Sequence, residues 1–358
     1  MGEVGIWFTS YRDPLRSEII ALNISESRSS KESGFLIFIP LKKVLVVRFS
    51  SIGDIVLTTP VVRCLKQAGF TVHYITKESF AFMLRNNPNV DKVITIRSKV
   101  SEAKEELQKE NYDHVIDLHH NLRSSQVKKI VGKPSSSFNK LNLKKWLLVN
   151  AHVNMLPDVH IVDRYFETVS ELGVKNDGKG LDYFIAPENN FDVDSLPENF
   201  HNGFYALTVG AKFGTKQMPV DLMDRIIRKF NKPVVLLGGK EDVPRANELE
   251  GFDGKIIYNA CGKINLDQSA SLIKQAEFVV AHDTGLMHIA AAFKKKIYSV
   301  WGNTVPELGM YPYLPGEGSK IIEVKGLHCR PCSKIGYAKC PKGHFKCMND
   351  IDLGEFST

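Results

Sequence analysis

The sequence lacks any apolar run long enough to cross a membrane. Its longest apolar stretches, such as the one from Phe35 to Leu41, are interrupted by Pro40 and fall far short of the roughly 20 residues that a spanning helix needs. No small-residue cleavage site follows a charged start, as a secretory signal peptide would require. We therefore expect a protein of the cytoplasmic compartment.

Strong compositional bias is also missing. With 26 Gly and 16 Pro among 358 residues, 43% hydrophobic and 24% charged residues, the chain is neither collagen-like nor largely disordered. Its length predicts two or three domains, each able to bury a core, and excludes a disulfide-stapled miniprotein. The net charge of +7 does not specify nucleic acid, but it favours nucleotides, phosphorylated sugars or an acidic membrane face.

Two cofactor motifs are absent as well. The loop after the first predicted strand, residues 48–54, has no GxGxxG spacing, which speaks against a nicotinamide dehydrogenase. No DxD-type pair lies near a candidate phosphate loop, so a bridging Mg²⁺ is not required, and we expect no cofactor. A retaining hydrolase would need a second acid beside Asp54, and the sequence shows none there.

What is present is an alternation of short apolar runs with helical patterns, which is typical of βαβ units and parallel sheets. The predicted fold class is α/β, with ligands at the carboxyl ends of the strands, between two domains. We expect strands at 42–49, 71–76, 92–96, 114–118, 204–209, 233–239, 255–258, 277–281 and 296–301. The predicted parts are a flexible leader (1–40), an N-terminal domain (41–175), a linker (176–203), a second domain (204–328) and a Cys-rich tail (329–358).

The loop after the first predicted strand offers a candidate catalytic group. Gly53 permits a tight turn from strand to helix, and Asp54 then lies at the mouth of the cleft, where a carboxylate can accept a proton from an attacking hydroxyl. Ser51 and Asp54 also have the spacing of a helix capping box, which is a purely structural alternative. From the residues alone, both interpretations stay open.

The segment after the strand at 277–281 suits a diphosphate. Thr284 and Gly285 begin a helix there, where unpaired N–H groups and the positive end of the helix dipole attract anions, and Gly285 lets a phosphate approach closely. Asp283 would repel a phosphate, so we expect it to orient the loop or to bind a sugar hydroxyl. His288, one turn into the helix, is either a ligand contact or a core or capping histidine.

Two further loops of the second half carry candidate donor contacts. Thr215 and Lys216 follow the first strand of this half, and lysine is a suitable point charge for phosphate; a solvated lysine loop is the alternative. Glu241 follows the next strand, where it could contact a ribose or a base, or simply act as an acid at a helix N-terminus.

Four of the six cysteines crowd into the tail, with His328 and His344 among them. Four thiolates can hold Zn²⁺ in a tetrahedral site, although the spacing C-x2-C-x7-C-x6-C is short for a zinc ribbon. Disulfides and free or packed thiols are the alternatives. The candidate ligands are Cys329, Cys332, Cys340 and Cys347.

Several of these segments together carry a family resemblance. Residues 44–60, 210–216, 283–292 and 301–304 follow one another in an order and spacing that is specific although each motif alone is weak. Over residues 42–350 the chain resembles the lipopolysaccharide heptosyltransferases of glycosyltransferase family 9. The resemblance implies a GT-B fold of two facing Rossmann-like domains. It also implies inverting, metal-independent transfer of a heptose from a nucleotide diphosphate, typically ADP-heptose, to an inner-core glycolipid acceptor at the cytoplasmic face of the inner membrane.

The resemblance also assigns roles to individual residues. It places the catalytic aspartate at Asp54, in the acceptor-side loop with Ser51 and Gly53, and the phosphate-binding lysine at Lys216. The donor-binding segment falls on Asp283, Thr284, Gly285 and His288, and nucleoside contacts fall near Glu241. Two other functions fit the same architecture: a sugar-nucleotide epimerase, which needs no acceptor, and a non-catalytic sugar-nucleotide-binding protein of envelope assembly.

Overall fold

The structure, a computed structural model, describes residues 21–22, 37–38 and 42–357. The predicted leader lies outside these ranges, apart from two short strands, β1 (Ala21–Leu22) and β2 (Ile37–Phe38), which pair antiparallel. Among the helices in the described ranges, none has both the length and the apolar character needed to cross a bilayer.

The first half forms a five-stranded parallel sheet in the order β5-β4-β3-β6-β7. Its central strand is the apolar run that follows Lys43, and its side chains are buried on both faces, as expected when helices cover both sides of a sheet. The strands are β3 (Lys43–Val47), β4 (Thr71–Lys77), β5 (Lys92–Ile96), β6 (His114–Asp117) and β7 (Ser135–Ser137).

Between residues 42 and 175, seven α-helices accompany this sheet, and most begin within a few residues of a strand end. They are α1 (Ile52–Val56), α2 (Thr59–Gln67), α3 (Phe82–Arg85), α4 (Lys104–Lys109), α5 (Leu122–Val131), α6 (Asn142–Ala151) and α7 (Ile161–Phe166).

The second half forms a six-stranded parallel sheet in the order β10-β9-β8-β11-β12-β13. Its strands are β8 (Tyr205–Thr208), β9 (Val234–Leu237), β10 (Ile257–Asn259), β11 (Phe278–His282), β12 (Lys296–Trp301) and β13 (Lys320–Glu323). Its helices are α8 (Val220–Phe230), α9 (Val243–Glu250), α10 (Leu266–Gln275), α11 (Gly285–Ala292) and α12 (Lys346–Asn349).

Both sheets have the doubly wound order, in which the chain starts in the middle, moves to one edge and returns to the other side. The direction reverses between β3 and β6 in the first sheet and between β8 and β11 in the second. Ligands of such sheets bind outside the carboxyl ends of the strands at these reversals. The α/β prediction with two parallel-sheet halves is confirmed. The loops that carry Asp54, Lys216 and Asp283 follow β3, β8 and β11, which all flank a reversal, whereas Glu241 follows β9, which does not.

A continuous cluster of buried apolar side chains joins the two halves, with members on α2 and α7 of the first and on α10 and α11 of the second. The predicted linker, 176–203, contains only single 3-10 turns, at Pro187–Asn189, Val193–Ser195 and Glu198–Phe200. It nevertheless contacts the second half, because the Tyr183 hydroxyl donates to Asp267 at 2.6 Å. The exact domain boundaries stay a prediction.

Candidate active site

The two halves touch where the N-terminal ends of α1 and α11 face each other. A Cβ atom built on Gly53 would lie 2.6 Å from Cδ2 of His288, and one built on Gly285 would lie 2.6 Å from Cγ2 of Ile52. Both distances are below van der Waals contact, so only glycine permits this approach. Neither glycine has a positive φ, so the structural reason for Gly53 is this contact rather than the tight turn that the sequence suggested.

Asp54 lies on α1 at this contact, and three donors hold its carboxylate. The Arg48 guanidinium is 2.5 Å from one oxygen, while the Ser51 backbone N–H and hydroxyl donate to the other at 3.1 and 2.7 Å. Burial raises the pKa of Asp54, but Arg48 and the Ser51 hydrogen bonds outweigh it and hold the pKa below its usual range. The predicted capping box is therefore present, and the carboxylate is ionised at neutral pH.

Arg48 is a site residue to which the sequence pattern gave no role. It is 8% exposed, and besides Asp54 it donates to the backbone oxygens of Ser50 at 2.8 Å and Leu118 at 2.5 Å. It also donates to the Tyr165 hydroxyl at 3.2 Å. The sequence feature that could have indicated Arg48 is its position directly after a fully apolar strand, because a charged side chain at a buried position needs a specific partner.

Lys216 and Asp283 come together on the other side of the contact. The Lys216 ammonium is 2.5 Å from the Asp283 carboxylate, and the Thr304 hydroxyl donates to the same oxygen at 2.9 Å. Asp283 thus ties the loop after β8 to the loop after β12. Thr284 caps α11 without a side-chain hydrogen bond, so the first N–H groups of this helix receive no acceptor from its capping residue.

His288 lies in the same contact and is 2% exposed. Burial, with a smaller contribution from Lys216, lowers its pKa to about 4, although the charges of Asp283 and Asp54 oppose the change. The ring is therefore neutral at pH 7, and its Nδ1 has no hydrogen-bond partner among the described residues. Because both Asp283 and Asp54 act on this ring, it marks the point where the two candidate loops meet.

The other predicted donor contacts have different surroundings. The Thr215 hydroxyl accepts a hydrogen bond from the Tyr337 N–H at 2.8 Å and donates one to the Tyr337 carbonyl at 3.1 Å. This hydroxyl is therefore already hydrogen-bonded to the tail. Glu241 is exposed. The neighbouring Asp242 is buried and accepts a hydrogen bond from the Gly239 N–H at 2.8 Å. Its carboxylate occupies the space that a Cβ atom on Gly210 would need. Asp242, which the sequence analysis did not select, is thus the acid that touches the loop after β8.

A cluster of cations lies beside Asp54 on the side of the first half. Arg164 is 3% exposed, and its Nε and Nη2 have no partner among the described residues. Burial, Arg164 and Lys334 lower the pKa of Lys145 to about 8, partly offset by Asp54. Burial and Arg48 lower the pKa of Lys140, and Lys334 contributes there as well. The members, Lys140, Lys145, Arg164 and Lys334, come from separate segments, so no local sequence pattern indicated the cluster.

The four tail cysteines line one cavity together with Thr215, Asn303 and Arg330. All six cysteines of the chain are free thiols, so the disulfide alternative is not realised. Among the described residues, no three His, Cys, Asp or Glu side chains are arranged closely enough to coordinate a metal ion as they stand.

Comparison with known proteins agrees with this geometry. The family described as Glycosyltransferase family 9 (heptosyltransferase) matches residues 100–338. Lipopolysaccharide heptosyltransferase 1 of Campylobacter coli is 24% identical over 291 residues, which cover 73% of this chain and 84% of that protein. Lipopolysaccharide heptosyltransferase 2 of Escherichia coli K12 is 23% identical, covering 86% and 94%.

Solved structures show the same fold. E. coli ADP-heptose lps heptosyltransferase II superposes with a TM-score of 0.63 at 19% identity, covering 86% of this chain and 98% of that chain. E. coli heptosyltransferase WaaC with ADP-2-deoxy-2-fluoro heptose gives a TM-score of 0.61 at 24% identity, covering 79% and 94%. The expected GT-B architecture is confirmed. Since the family match spans more than half of the sequence, the chain belongs to glycosyltransferase family 9, the heptosyltransferase family.

Proposed function

We propose that this protein transfers a heptose from ADP-heptose, with inversion, to the inner-core saccharide of a lipopolysaccharide precursor. The observation that carries the proposal is the contact between α1, which bears Asp54, and the start of α11, which follows Asp283, the partner of Lys216. The charges of Asp54 and Asp283 both act on His288 at this contact. The relatives are lipopolysaccharide heptosyltransferases and one solved structure contains a heptose analogue, which supports the choice of sugar and acceptor.

In the proposed step, the first half supplies the base and the second half stabilises the leaving group. The acceptor hydroxyl oxygen bonds to the anomeric carbon opposite the diphosphate, its proton passes to the Asp54 carboxylate, and the bond to the diphosphate breaks with its electron pair leaving on ADP. Lys216 and the N–H groups at the start of α11, which receive no side-chain acceptor from Thr284, stabilise the charge that develops on the leaving group. Asp283 and Thr304 hold Lys216 in place for this role.

The ion pair between Asp54 and Arg48 affects when, during the reaction, Asp54 accepts the proton of the acceptor hydroxyl. It keeps Asp54 in its proton-accepting form at neutral pH, but it also makes the carboxylate a weak base. A weak base receives the proton late, after the anomeric carbon has become strongly electrophilic and the bound hydroxyl correspondingly acidic. Such order suits the oxocarbenium-like transition state of glycosyl transfer.

The cation cluster beside Asp54 supports an anionic acceptor. Two buried nitrogens of Arg164 have no hydrogen-bond partner within the described part of the chain, and Lys145 has a lowered pKa, so both gain from a bound carboxylate or phosphate. This feature favours transfer over the two alternatives, because an epimerase and a donor-binding protein need no acceptor site. The positive charge near the cleft also fits an acceptor presented at an anionic membrane face.

The decisive experiment follows ADP release from ADP-heptose with and without an inner-core acceptor. Asp54→Asn should lower turnover by about 10²- to 10⁴-fold while ADP affinity stays within a few-fold. Lys216→Ala should weaken ADP binding by about tenfold or more, because it removes a charge-assisted contact. Melting curves and ADP titration verify that each variant is folded.

Two results would refute the proposal. Full turnover of a folded Asp54→Asn variant would remove the assigned base. Sugar-nucleotide conversion that proceeds equally without an acceptor would point to the epimerase alternative. A panel of other nucleotide sugars in the same assay tests the donor, and ADP-heptose should be turned over fastest.

A further inference from the structure

The Cys-rich tail is ordered without a core of its own. Residues 325–345 contain no helix or strand, and within this stretch only Pro331, Ser333 and Gly336 are buried. A segment this long without regular structure or apolar burial needs another source of stability, and small cysteine-rich segments usually obtain it from cross-links or a metal ion. No disulfide supplies it here.

The chemistry of the tail favours a metal ion held by thiolates. The four cysteines line a single cavity, and Asn303, 1% exposed with neither side-chain polar atom partnered among the described residues, lines it with them. Residues 324–349 contain six lysines and arginines and no acid. A cationic environment lowers the cost of the four negative charges that bound thiolates carry.

His344 takes a supporting position rather than that of a ligand. Its Nδ1 accepts a hydrogen bond from the Lys346 N–H at 3.0 Å, so in the neutral ring the proton lies on Nε2. That Nε2 is 3.8 Å from the Cys329 sulfur, toward which it can donate. Donation from a neighbouring N–H to a ligand atom is the usual outer-sphere support of metal sites, and it leaves the four cysteines as the ligand set.

The tail is also fastened to both loops that hold Asp283. On the loop after β8, Tyr337 exchanges backbone and side-chain hydrogen bonds with Thr215, the residue before Lys216. On the loop after β12, the buried Arg330 guanidinium donates to the carbonyls of Gly302 at 2.5 Å and Thr304 at 3.0 Å. In sequence, Arg330 lies between Cys329 and Cys332, and Tyr337 lies between Cys332 and Cys340. A cross-link that includes all three cysteines would therefore hold both loops.

We propose that Cys329, Cys332, Cys340 and Cys347 bind one Zn²⁺ ion, and that this ion holds the tail as a clamp on the Lys216 and Thr304 loops. Binding converts four thiols to thiolates and releases their protons. Because the four cysteines of the described structure line one cavity but do not yet form a metal-binding arrangement, their side chains must reorient into that cavity to give a tetrahedral site. The metal has a structural role in this scheme and takes no part in glycosyl transfer. The effect on the donor site rests on the proposed function, whereas zinc binding does not.

The first measurement is the metal content of the full chain, purified without a metal-affinity resin and then offered Zn²⁺ alone under reducing conditions. We expect one zinc per chain in the wild type and in the control Cys64→Ala, whose cysteine lies in the core of the first half. The double variant Cys332→Ser/Cys340→Ser should hold none. Zinc in the wild type no higher than in the double variant, or iron in its place, would overturn the assignment.

The second measurement is ADP affinity, which tests the clamp. Removing zinc from the wild type with a chelator should weaken ADP binding by about tenfold, and adding Zn²⁺ back should restore it, so the test does not depend on folding of the cysteine variants. Thr215→Val should retain zinc but lose a similar factor, because it breaks two hydrogen bonds to Tyr337. Unchanged ADP affinity after zinc removal would refute the clamp.

Lys216→Ala separates this proposal from the proposed function. It should lose ADP affinity and keep its zinc. Failure of every form, including the wild type, to bind ADP would count against the donor site, while one zinc per chain would still support the metal assignment.

Discussion

Replacing Gly53 by Ala tests whether the contact between α1 and α11 sets the active-site geometry. The added methyl would lie 2.6 Å from His288 Cδ2 and 3.4 Å from Gly285 Cα. Because carbon atoms prefer a separation of about 3.6 Å, the two helix ends must move apart by about 1 Å. A displacement of that size between reacting groups costs about 10²-fold in rate.

The stability change and the rate change should have different origins. Alanine is the better helix former by about 0.5–1 kcal/mol, which offsets part of the roughly 1–3 kcal/mol expected for overpacking. We therefore expect a melting temperature within a few degrees of wild type, but a kcat/KM about 10²-fold lower in the ADP-release assay.

Gly254→Ala is the matched control, since a Cβ there meets nothing closer than the Glu250 carbonyl at 3.6 Å. Its kcat/KM should equal that of the wild type. Wild-type kcat/KM in a folded Gly53→Ala variant would refute the idea that the halves must meet this closely.

Three further predictions concern the charges around Asp54. Arg164→Met should raise the melting temperature, because it removes two buried nitrogens that no other described residue partners and whose burial costs about 1–3 kcal/mol. It should also raise the acceptor KM, and a lower melting temperature with an unchanged KM would contradict this prediction. The kcat/KM for the acceptor should decline above pH 8, where Lys145, with a pKa of about 8, loses its charge. Lys145→Arg should abolish this decline, and a decline that persists would assign it to another group. Asp54→Asn should cost about 3 kcal/mol in urea unfolding at pH 7, because Arg48 stays buried without its partner. Folding lowers the pKa of Asp54, so its ionised carboxylate stabilises the protein at pH values above its unfolded-state pKa, and this stabilisation is lost as the pH falls below about 4. The unfolding free energy lost in Asp54→Asn should therefore be smaller at pH 3 than at pH 7. An equal loss at both pH values would exclude this linkage.

Most of the fold could be predicted because central parallel strands are continuous apolar runs. Nine predicted strands correspond to β3–β6 and β8–β12. Of the four edge strands of the two large sheets, β7 and β13 were missed for a physical reason: Ser135–Ser137 has no apolar side chain, and Lys320–Glu323 is short and half-exposed. Edge strands are specified by backbone pairing with a neighbour and need little hydrophobic pattern of their own.

The site could be predicted only where its residues follow a strand. Asp54, Lys216 and Asp283 each come directly from such a loop, and the structure brings them to the contact of the two halves, while their roles stay predictions. The cation cluster could not be seen, because Lys140, Arg164 and Lys334 are close only after folding. The partner of Thr215 was equally hidden, since Tyr337 lies 122 residues further along the chain.

The separation of the two sheets has an evolutionary consequence. No strand pairing joins them in the described ranges, and the groups beside Asp54 come almost entirely from the first half while Lys216 and Asp283 belong to the second. Under the proposed function, divergence among homologues can therefore alter which saccharide is accepted by changing the first half alone, and leave recognition of the sugar nucleotide intact. Lys334 is the exception, because it belongs to the tail but lies in the cation cluster of the first half. Substitutions at Lys334 should therefore occur together with changes in the first half.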